Sequence, residues 1–492
     1  MNRLERNTAL ADRAVWEDLT GASFTIVGLG KSGVSAANAL VKRGADVLAI
    51  DDQPAEKLGP ALAALDKRVV VQAGLAGSGP IGRGGDLFVV SPGLMPHSPR
   101  YKGIAALATA VVSEVELFYR LDRAANQGAG HPIAAITGTD GKTTTTLWVA
   151  HLLREAGHTV IVGGNIGDPL CDFLDTMGPD DVVVAEISAF QLYACSMFRP
   201  RVAVVTNVAE DHMDWFGGDF AAYVTQKVAV GSAMGFGDTL LLNGDDDDLA
   251  PHRAVQAGRK LNFLAFSVKG VPDVGLGFDG ERLLLALAPD ARVELGWFAE
   301  LGRLGKAPIL GVHNVENALA ACGLALGLGV SLAAIRRGLL TFSLPSHRLE
   351  PAGSIGNVRF VDDSKATNPH AAIAGLEAMA LRPGEKLVWI GGGSEKDSDF
   401  SGLGEVVGQR AAHALLIGQT AQRIAQTLPE SLAAEHCASL EAAVARGLQL
   451  AAPDGIVLLS PACASFDMFK SYAHRGEVFQ DAVKALAAAV AR

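Results

Sequence analysis

The stretch ITGTDGKTTTT, Ile136 to Thr146, limits the fold more than any other. It follows the apolar run HPIAAI and leads into WVAHLLREAG, so it reads as strand, glycine turn and helix. Successive backbone N–H groups in such a turn, with the positive end of the following helix, favour anionic oxygens. Lys142 can pair with terminal phosphate oxygens, and Thr143 can place its hydroxyl on Mg2+. Two residues separate the glycines of G-T-D-G-K-T, where the usual phosphate loop has four. Phosphate binding is therefore expected on a variant of that loop, in a parallel α/β sheet.

At 492 residues the chain is too long for one core, and about 150 residues per domain predicts roughly three. Its 49% hydrophobic and 19% charged residues are ordinary for a globular protein and argue against disorder. With a formal charge of -11 and no run of Lys and Arg, wholesale nucleic-acid binding is not expected. Cys171, Cys195, Cys322, Cys437 and Cys463 are odd in number and form no CxxC pair. That speaks against a disulfide framework or zinc cluster and fits a reducing cytoplasm. The N-terminal MNRLERNTALADRAVWEDL lacks the apolar core of a signal peptide. Ala318 to Ile335 carries no charge over 18 residues, but it is rich in Ala and Gly and interrupted at Gly327 and Gly329. It reads as a buried helix pair and not as a membrane span.

Three segments follow local logics of their own. In SFTIVGLGKSGVSAANALVKRGADVLAIDD, Gly28, Gly30 and Gly33 form a G-x-G-x-x-G turn between a strand and a helix. An acidic pair, Asp51 and Asp52, follows about 20 positions on, which is the Rossmann pattern. Such a helix N-terminus accepts many diphosphates, so NAD and a nucleotide sugar both stand as ligands. DLFVVSPGL adds a strand ending at Ser91, Pro92 and Gly93. The small, polar RAANQGAGHP, Arg123 to Pro132, reads as a linker. Beyond it, VIVGGNIG, VVVAEIS and VAVVTNV are buried strands ending at Asn165, at Glu186 with Ser188, and at Asn207 through Asp214. Ligands of open α/β sheets sit at those carboxyl ends. VRFVDDS, KLVWIGG, HALLIG and GIVLLSPA form a third α/β unit. The expected fold is α/β in three domains: Rossmann-like at 1–125, a central P-loop-type mononucleotide-binding parallel sheet at 126–343, and a C-terminal Rossmann-like unit at 344–492.

Taken singly, several residues stay ambiguous. Glu186 is a hard oxygen ligand for Mg2+ or a loop charge. His212 lies among Glu210, Asp211 and Asp214, and alone it would read as a surface hydrogen-bonding group. Lys227 in AAYVTQKVAV reads as a helix-surface lysine. Asn314 and Asn317 are three apart at a helix start, suited to an adenine edge or to a cap. Lys396 sits on the glycine-rich GGGSEKDSDF, and Lys470 and Arg475 on the C-terminal helix.

Together these stretches resemble the Mur ligases, the ATP-dependent amino-acid ligases of peptidoglycan synthesis. TGTDGKTT, EDHMD and HNVEN resemble the superfamily, while AEISAFQL, DDSKATN, GGGSEKDSDF and LSPACASFDMFKSYAHRG are similar to its D-glutamate-adding branch. The resemblance runs from Gly28 to about Asp481, in the family's order. It implies ATP-dependent joining of D-glutamate to UDP-N-acetylmuramoyl-L-alanine through an acyl phosphate, with two Mg2+ ions, in a cytoplasmic monomer. Another Mur-type ligase adding a different amino acid is the alternative. In the family's architecture the first domain binds the UDP moiety, the second ATP and Mg2+, and the third the incoming amino acid.

By resemblance, Gly28, Gly30, Ser32, Gly33, Asp51, Ser91, Pro92 and Gly93 hold the UDP part, and Asn165, Ser188, Gln191 and His212 the muramoyl-alanine path. Gly138, Thr139, Asp140, Gly141, Lys142, Thr143 and Thr144 hold the ATP phosphates, with Asn314, Asn317, Arg348 and Asp363 at adenine and ribose. Thr143 and Glu186 hold one Mg2+; His212 and Lys227, as a carbamate, hold the second. Lys142, His212, Lys227 and Lys365 carry catalysis, and Thr367, Lys396, Ser465, Phe466 and Tyr472 receive D-glutamate. Four positions depart from the family's pattern. Asp140 replaces a common Asn, Tyr472 a common Phe, and Asp52-Gln53 a usual Thr-Arg, while FSLPSHRLE replaces Gly-Leu-Pro-His-Arg but keeps His347 and Arg348.

Overall fold

The computed structural model describes residues 14–75, 87–107, 110–305, 309, 311–394 and 398–490. The β-branched, apolar runs form three sheets. In the first, five parallel strands lie in the order Val70–Gln72, Asp46–Ile50, Ser23–Val27, Leu87–Val90, Ala110–Val112. The chain winds outward in both directions from Ser23–Val27, so a crevice opens at the carboxyl ends of that strand and Leu87–Val90. A Cβ on Gly33 would lie 1.9 Å from the Gly28 carbonyl oxygen, so only glycine lets the helix Lys31–Lys42 start this close to its strand.

The second sheet has nine strands. Ile133–Thr137 lies between Val182–Glu186 and Val202–Val205, parallel to both. Val160–Gly164 flanks one side, and Thr239–Asn243, Asn262–Ser267 and Gly275–Phe278 continue the other. A hairpin, Arg282–Ala288 with Ala291–Trp297, closes that edge antiparallel. The third sheet has six strands in the order Glu350–Ile355, Asn357–Asp362, Asp454–Leu459, Lys386–Gly391, His413–Leu416, Ala433–His436, parallel except for the first. The chain packs as two compact units. Met1–Phe298 with Glu316–Leu339 holds the first two sheets, and Ala299–Val315 with Leu340–Arg492 holds the third.

The uncharged stretch from Ala318 to Ile335 spans two helices, Val312–Gly327 and Leu332–Thr341. Its small residues let the first lie close against Leu241 and Leu276. No helix among the described residues is long and apolar enough to cross a membrane, and the five cysteines form no disulfide among the described residues.

In the first unit the helix Glu114–Ala125 joins the two sheets through buried carboxylates. Glu116 accepts the N–H groups of Met197 at 3.0 Å and Phe198 at 2.8 Å and pairs with Arg120 at 2.8 Å. Glu114 accepts the Cys171 N–H at 2.6 Å, and no cation among the described residues pairs with it: burial pushes its pKa up to about 7. In the unfolded chain that carboxyl titrates near ~4.3. The stability that Glu114 contributes is thus complete below the unfolded value and is lost as pH rises through about 7. Glu114→Gln is expected to match the wild type near pH 4 and to exceed it at pH 8 in urea denaturation. The same pH dependence in both proteins would count against an uncompensated charge at this position.

Candidate functional site

The glycine turn leaves the central strand Ile133–Thr137 and enters the helix Lys142–Glu155. Gly138 has φ +143°, and a Cβ there would meet Thr206 Oγ1 at 1.9 Å. Thr206 and Asn207, at the end of the neighbouring strand, hold the turn in place. Thr206 Oγ1 donates to the Asp140 carbonyl at 2.6 Å, and the Asp140 N–H donates to Asn207 Oδ1 at 2.8 Å. The Thr139 N–H donates to the Asn207 carbonyl at 2.9 Å. The Lys142 ammonium folds over the turn and donates to the carbonyls of Gly138 at 2.9 Å and Thr139 at 2.7 Å. Asn317 packs behind it, accepting from Thr145 Oγ1 at 3.2 Å.

On the other side, Glu186 ends its strand with a buried carboxylate. Thr143 Oγ1 donates to Glu186 Oε2 and Asn165 Nδ2 to Oε1, each at 2.9 Å. Both donors are neutral. The pair Thr143 and Glu186 offers hard oxygens at the start of the phosphate helix, which is a fit for Mg2+.

Lys227 corrects its reading as a surface lysine, because it is buried. The helix Phe220–Val228 turns Tyr223, Val224, Lys227 and Val228 inward, an i, i+1, i+4, i+5 face that was present in the sequence. Lys227 Nζ donates to the Gly138 carbonyl at 2.7 Å and lies 4.4 Å from the centre of the Tyr223 ring. Burial, and then the charge of Lys142, holds its pKa well below the usual lysine value. Its amine is therefore biased toward the neutral, nucleophilic form. Asp140 is one of the acids that oppose this shift.

His212 is half-exposed in a left-handed backbone conformation, φ 54°. Its Nε2 lies 3.4 Å from Asp211 Oδ2, and its ring stands edge-on to Phe190 at 5.0 Å. Phe190, Tyr193, Trp215 and Phe216 form an aromatic wall that the sequence reading missed. Ser188 and Gln191 start the helix Ala189–Tyr193 with a reciprocal capping box. Gln191 Oε1 accepts from the Ser188 N–H at 2.9 Å and from its hydroxyl at 3.0 Å. In this arrangement both side chains serve the helix start.

At the crevice of the first sheet, Gly28 lies beside Ser91, and Gly30 caps the helix that carries Ser32 and Gly33. Asp51 braces the turn: Oδ2 accepts the Leu29 N–H at 2.7 Å and Oδ1 the Gln53 N–H at 2.8 Å. Asp52 pairs with Arg100, a buried residue that also donates to the Leu75 carbonyl at 2.6 Å. Sequence reading missed Arg100, since nothing local links it to Asp52.

In the second unit, loops at the carboxyl ends of the six-stranded sheet gather Asp363, Lys365, Ser465 and Tyr472. Asp363 accepts from Ser460 Oγ at 2.7 Å, and burial pushes its pKa to about 7. Lys365 Nζ donates to the Tyr472 hydroxyl at 3.0 Å and lies 4.3 Å from the ring centre, a bond that the usual Phe lacks. Arg475, wholly buried, donates to the carbonyls of Ser364 at 2.8 Å and Cys463 at 3.0 Å and so ties these loops together. Ser465 is buried and Phe466 exposed. His347, Glu350 and Asp362 also cluster, but the His347 ring and Gln480 Nε2 already donate to their carboxylates. Lys396 lies outside the described residues.

Comparison with known proteins agrees with this layout. Residues 22–113 match the Mur ligase MurD-like N-terminal domain, 136–325 the Mur ligase middle domain, and 347–463 the Mur ligase glutamate ligase domain. The chain is 36% identical over 481 residues to a UDP-N-acetylmuramoylalanine--D-glutamate ligase of Pelotomaculum thermopropionicum, covering 96% of this chain and 99% of that protein. It is 38% identical over 470 residues to a protein of the same name from Acidobacterium capsulatum, covering 95% and 97%. Its fold is similar to MurF of Acinetobacter baumannii, with a TM-score of 0.60 at 18% identity over 96% of this chain and 92% of that one. MurF of Thermotoga maritima in complex with ADP gives 0.59 at 17% identity over 96% and 97%.

A buried amine with one carbonyl partner and a ring is costly to keep charged. In metal-free, CO2-depleted buffer, Lys227→Met is expected to keep or raise stability, by up to about 1 kcal/mol. A clear fall in the thermal midpoint would show that the amine holds the fold together.

Proposed function

The chain belongs to the Mur ligase family, and on that footing we propose that it joins D-glutamate to UDP-N-acetylmuramoyl-L-alanine, with ATP converted to ADP and phosphate. What carries this reading is likeness over the whole chain, third segment included, to proteins named for that activity. Residues 1–125 take the UDP part, 126–343 take ATP, and 344–492 take D-glutamate. The protein acts as a monomer in the cytoplasm.

A carboxylate is a poor electrophile, so the alanyl carboxyl must be activated. One of its oxygens attacks the γ-phosphorus of ATP, the bond to the β-phosphate oxygen breaks, and ADP leaves an acyl phosphate. The D-glutamate amine, having lost a proton, then attacks the acyl carbon. The tetrahedral adduct collapses to the amide and inorganic phosphate. The backbone N–H groups at the start of the helix, residues 141–144, and the Lys142 ammonium receive the phosphates. Lys142 exchanges its bonds to the Gly138 and Thr139 carbonyls for phosphate oxygens. Thr143 and Glu186 would hold one Mg2+, and His212 with Lys227 the other; bound Mg2+ neutralises the charge that keeps carboxylate and phosphate apart.

The buried amine of Lys227 supports its role as a carbamate. The neutral amine nitrogen adds to the carbon of CO2 and loses one proton, which puts a carboxylate-like anion beside Lys142. His212 sits in a turn of positive φ beside Asp211, from which its ring can serve as a metal ligand. Asn165 lies on the muramoyl-alanine path. Asn314, Asn317, Arg348 and Asp363 take adenine and ribose. Lys365, held by Tyr472, lies with Thr367, Lys396, Ser465 and Phe466 at the D-glutamate end.

The test is phosphate release with ATP, Mg2+ and UDP-N-acetylmuramoyl-L-alanine across a panel of D- and L-amino acids. Release with D-glutamate alone is expected. Release with a different amino acid instead would move the chain to another branch, and no release with any would overturn ligation. Lys227→Ala is expected to lose about 100-fold in kcat, with part of the loss restored by acetate, a free carboxylate. Full activity in that variant would sink the carbamate role.

A further inference from the structure

A cleft of about 1020 Å³ opens at the amino ends of the nine-stranded sheet. Its wall includes Arg123, His131, Arg199, Arg201 and Asp238. Arg201 and Asp238 immediately precede the strands Val202–Val205 and Thr239–Asn243. The phosphate turn lies at the other end of those strands, four or five residues away at about 3.3 Å each. The cleft and the turn share no residue, so neither one accounts for the other.

Charge separates this wall from the rest of the molecule. The whole chain carries a formal charge of -11, yet three arginines here face two aspartates, Asp180 and Asp238. Asp238 serves two guanidinium groups at once. Its Oδ2 accepts Arg199 Nε at 2.6 Å and the Gly235 N–H at 2.9 Å, while Arg201 Nη1 stays 3.6 Å from Oδ1. That last separation is an ion pair but too long for a hydrogen bond. Arg201 is half-exposed and makes no side-chain hydrogen bond among the described residues.

The local geometry turns this surplus into a fork. Arg199 and Arg201 are two residues apart and both reach Asp238, so the two guanidinium groups lie together on one side of the chain. Each guanidinium offers five N–H donors in a plane that matches phosphate oxygens. Arg123, at the end of the helix Glu114–Ala125, lies 5.5 Å over the Tyr119 ring and donates to the Ala129 carbonyl at a long 3.3 Å. His131 fixes the linker that forms this side of the cleft. Its ring nitrogens face Asp122 Oδ1 at 2.5 Å and the Gly178 carbonyl at 2.9 Å, so both donate. The volume suits a ligand of nucleotide size.

We propose that this cleft binds a small phosphate-bearing polyanion, held by Arg123, Arg199 and Arg201, with Asp238 positioning the two neighbouring arginines. An occupant touches both the helix that leads from the first sheet and the base of the second. It is a site for an effector and takes no part in the ligation chemistry.

The experiment is calorimetric titration of the full chain with inorganic pyrophosphate in Mg2+-free buffer. The phosphate turn is also a place for this probe, so Lys142→Ala is titrated beside the wild type. Lys142→Ala is expected to retain a pyrophosphate site that is distinguished from the Gly28–Gly33 turn by its dependence on Arg201. Adding Arg201→Ala should weaken that site about tenfold or more, and Arg201→Lys should weaken it less. Citrate, a carboxylate polyanion, should bind at least about tenfold more weakly than pyrophosphate, because it lacks the oxygen geometry that the fork matches. Loss of all binding in Lys142→Ala, unchanged affinity in Arg201→Ala, or citrate binding as tightly as pyrophosphate would each overturn the proposal. Arg201→Ala alone, in the wild-type background, should leave ligase turnover without pyrophosphate unchanged, which separates failure of this site from failure of the ligase reading.

Discussion

The hydrogen bond from the Thr206 hydroxyl to the Asp140 carbonyl holds together two elements that are far apart in the chain. It anchors the glycine turn to the end of a neighbouring strand, and Asn207 adds three more bonds to the same turn. A glycine turn alone is flexible, because glycine has the most backbone freedom to lose. Pinned through the Thr139 and Asp140 N–H groups, the turn fixes the start of the helix after it, whose own N–H groups are in place before any phosphate arrives, so ordering them costs little on binding. The strand order makes this possible, since Ile133–Thr137 has Val182–Glu186 on one side and Val202–Val205 on the other. Thr143 thereby meets Glu186, and Gly138 meets Lys227.

Buried charge is distributed by role. Glu116 and Arg475, which hold architecture, are saturated with donors or acceptors, whereas Glu114 meets its burial by a raised pKa. Glu116 collects backbone N–H groups and Arg120, and Arg475 donates to several loop carbonyls. Where chemistry is proposed, charge is left underused. Lys227 has one carbonyl and a ring, and Glu186 has only neutral donors. Such a group is costly to bury and is poised to take a ligand or a modification.

The sequence made most of the strands legible, because a parallel sheet covered on both faces demands continuous β-branched runs. It also located both glycine turns and the helix pair around Gly329, while the first three residues of the expected linker Arg123–Pro132 belong to the helix Glu114–Ala125. The hairpin Arg282–Ala288 with Ala291–Trp297 escaped notice, as short mixed runs at a sheet edge carry little pattern. At the site, Thr143 and Glu186 follow from chemistry at strand ends. Lys227 was misread from its residue type, although its helix face marks it as inward. Arg100 and the aromatic wall at Phe190 depend on partners many residues distant.

By itself the sequence determined the phosphate turn, the Rossmann glycines, the run of strands and the family, because each is written in local residue order and spacing. Tertiary structure alone decided which strand ends face one another. It buried Lys227 against Gly138, assigned Asp51 to bracing its own turn and gave Asp52 to Arg100. It also placed Arg199 and Arg201 on a single carboxylate at the far end of the sheet. The physical reason is that burial and pairing are properties of the space between elements. A side chain's charge and its chemistry depend on neighbours that chain order does not name.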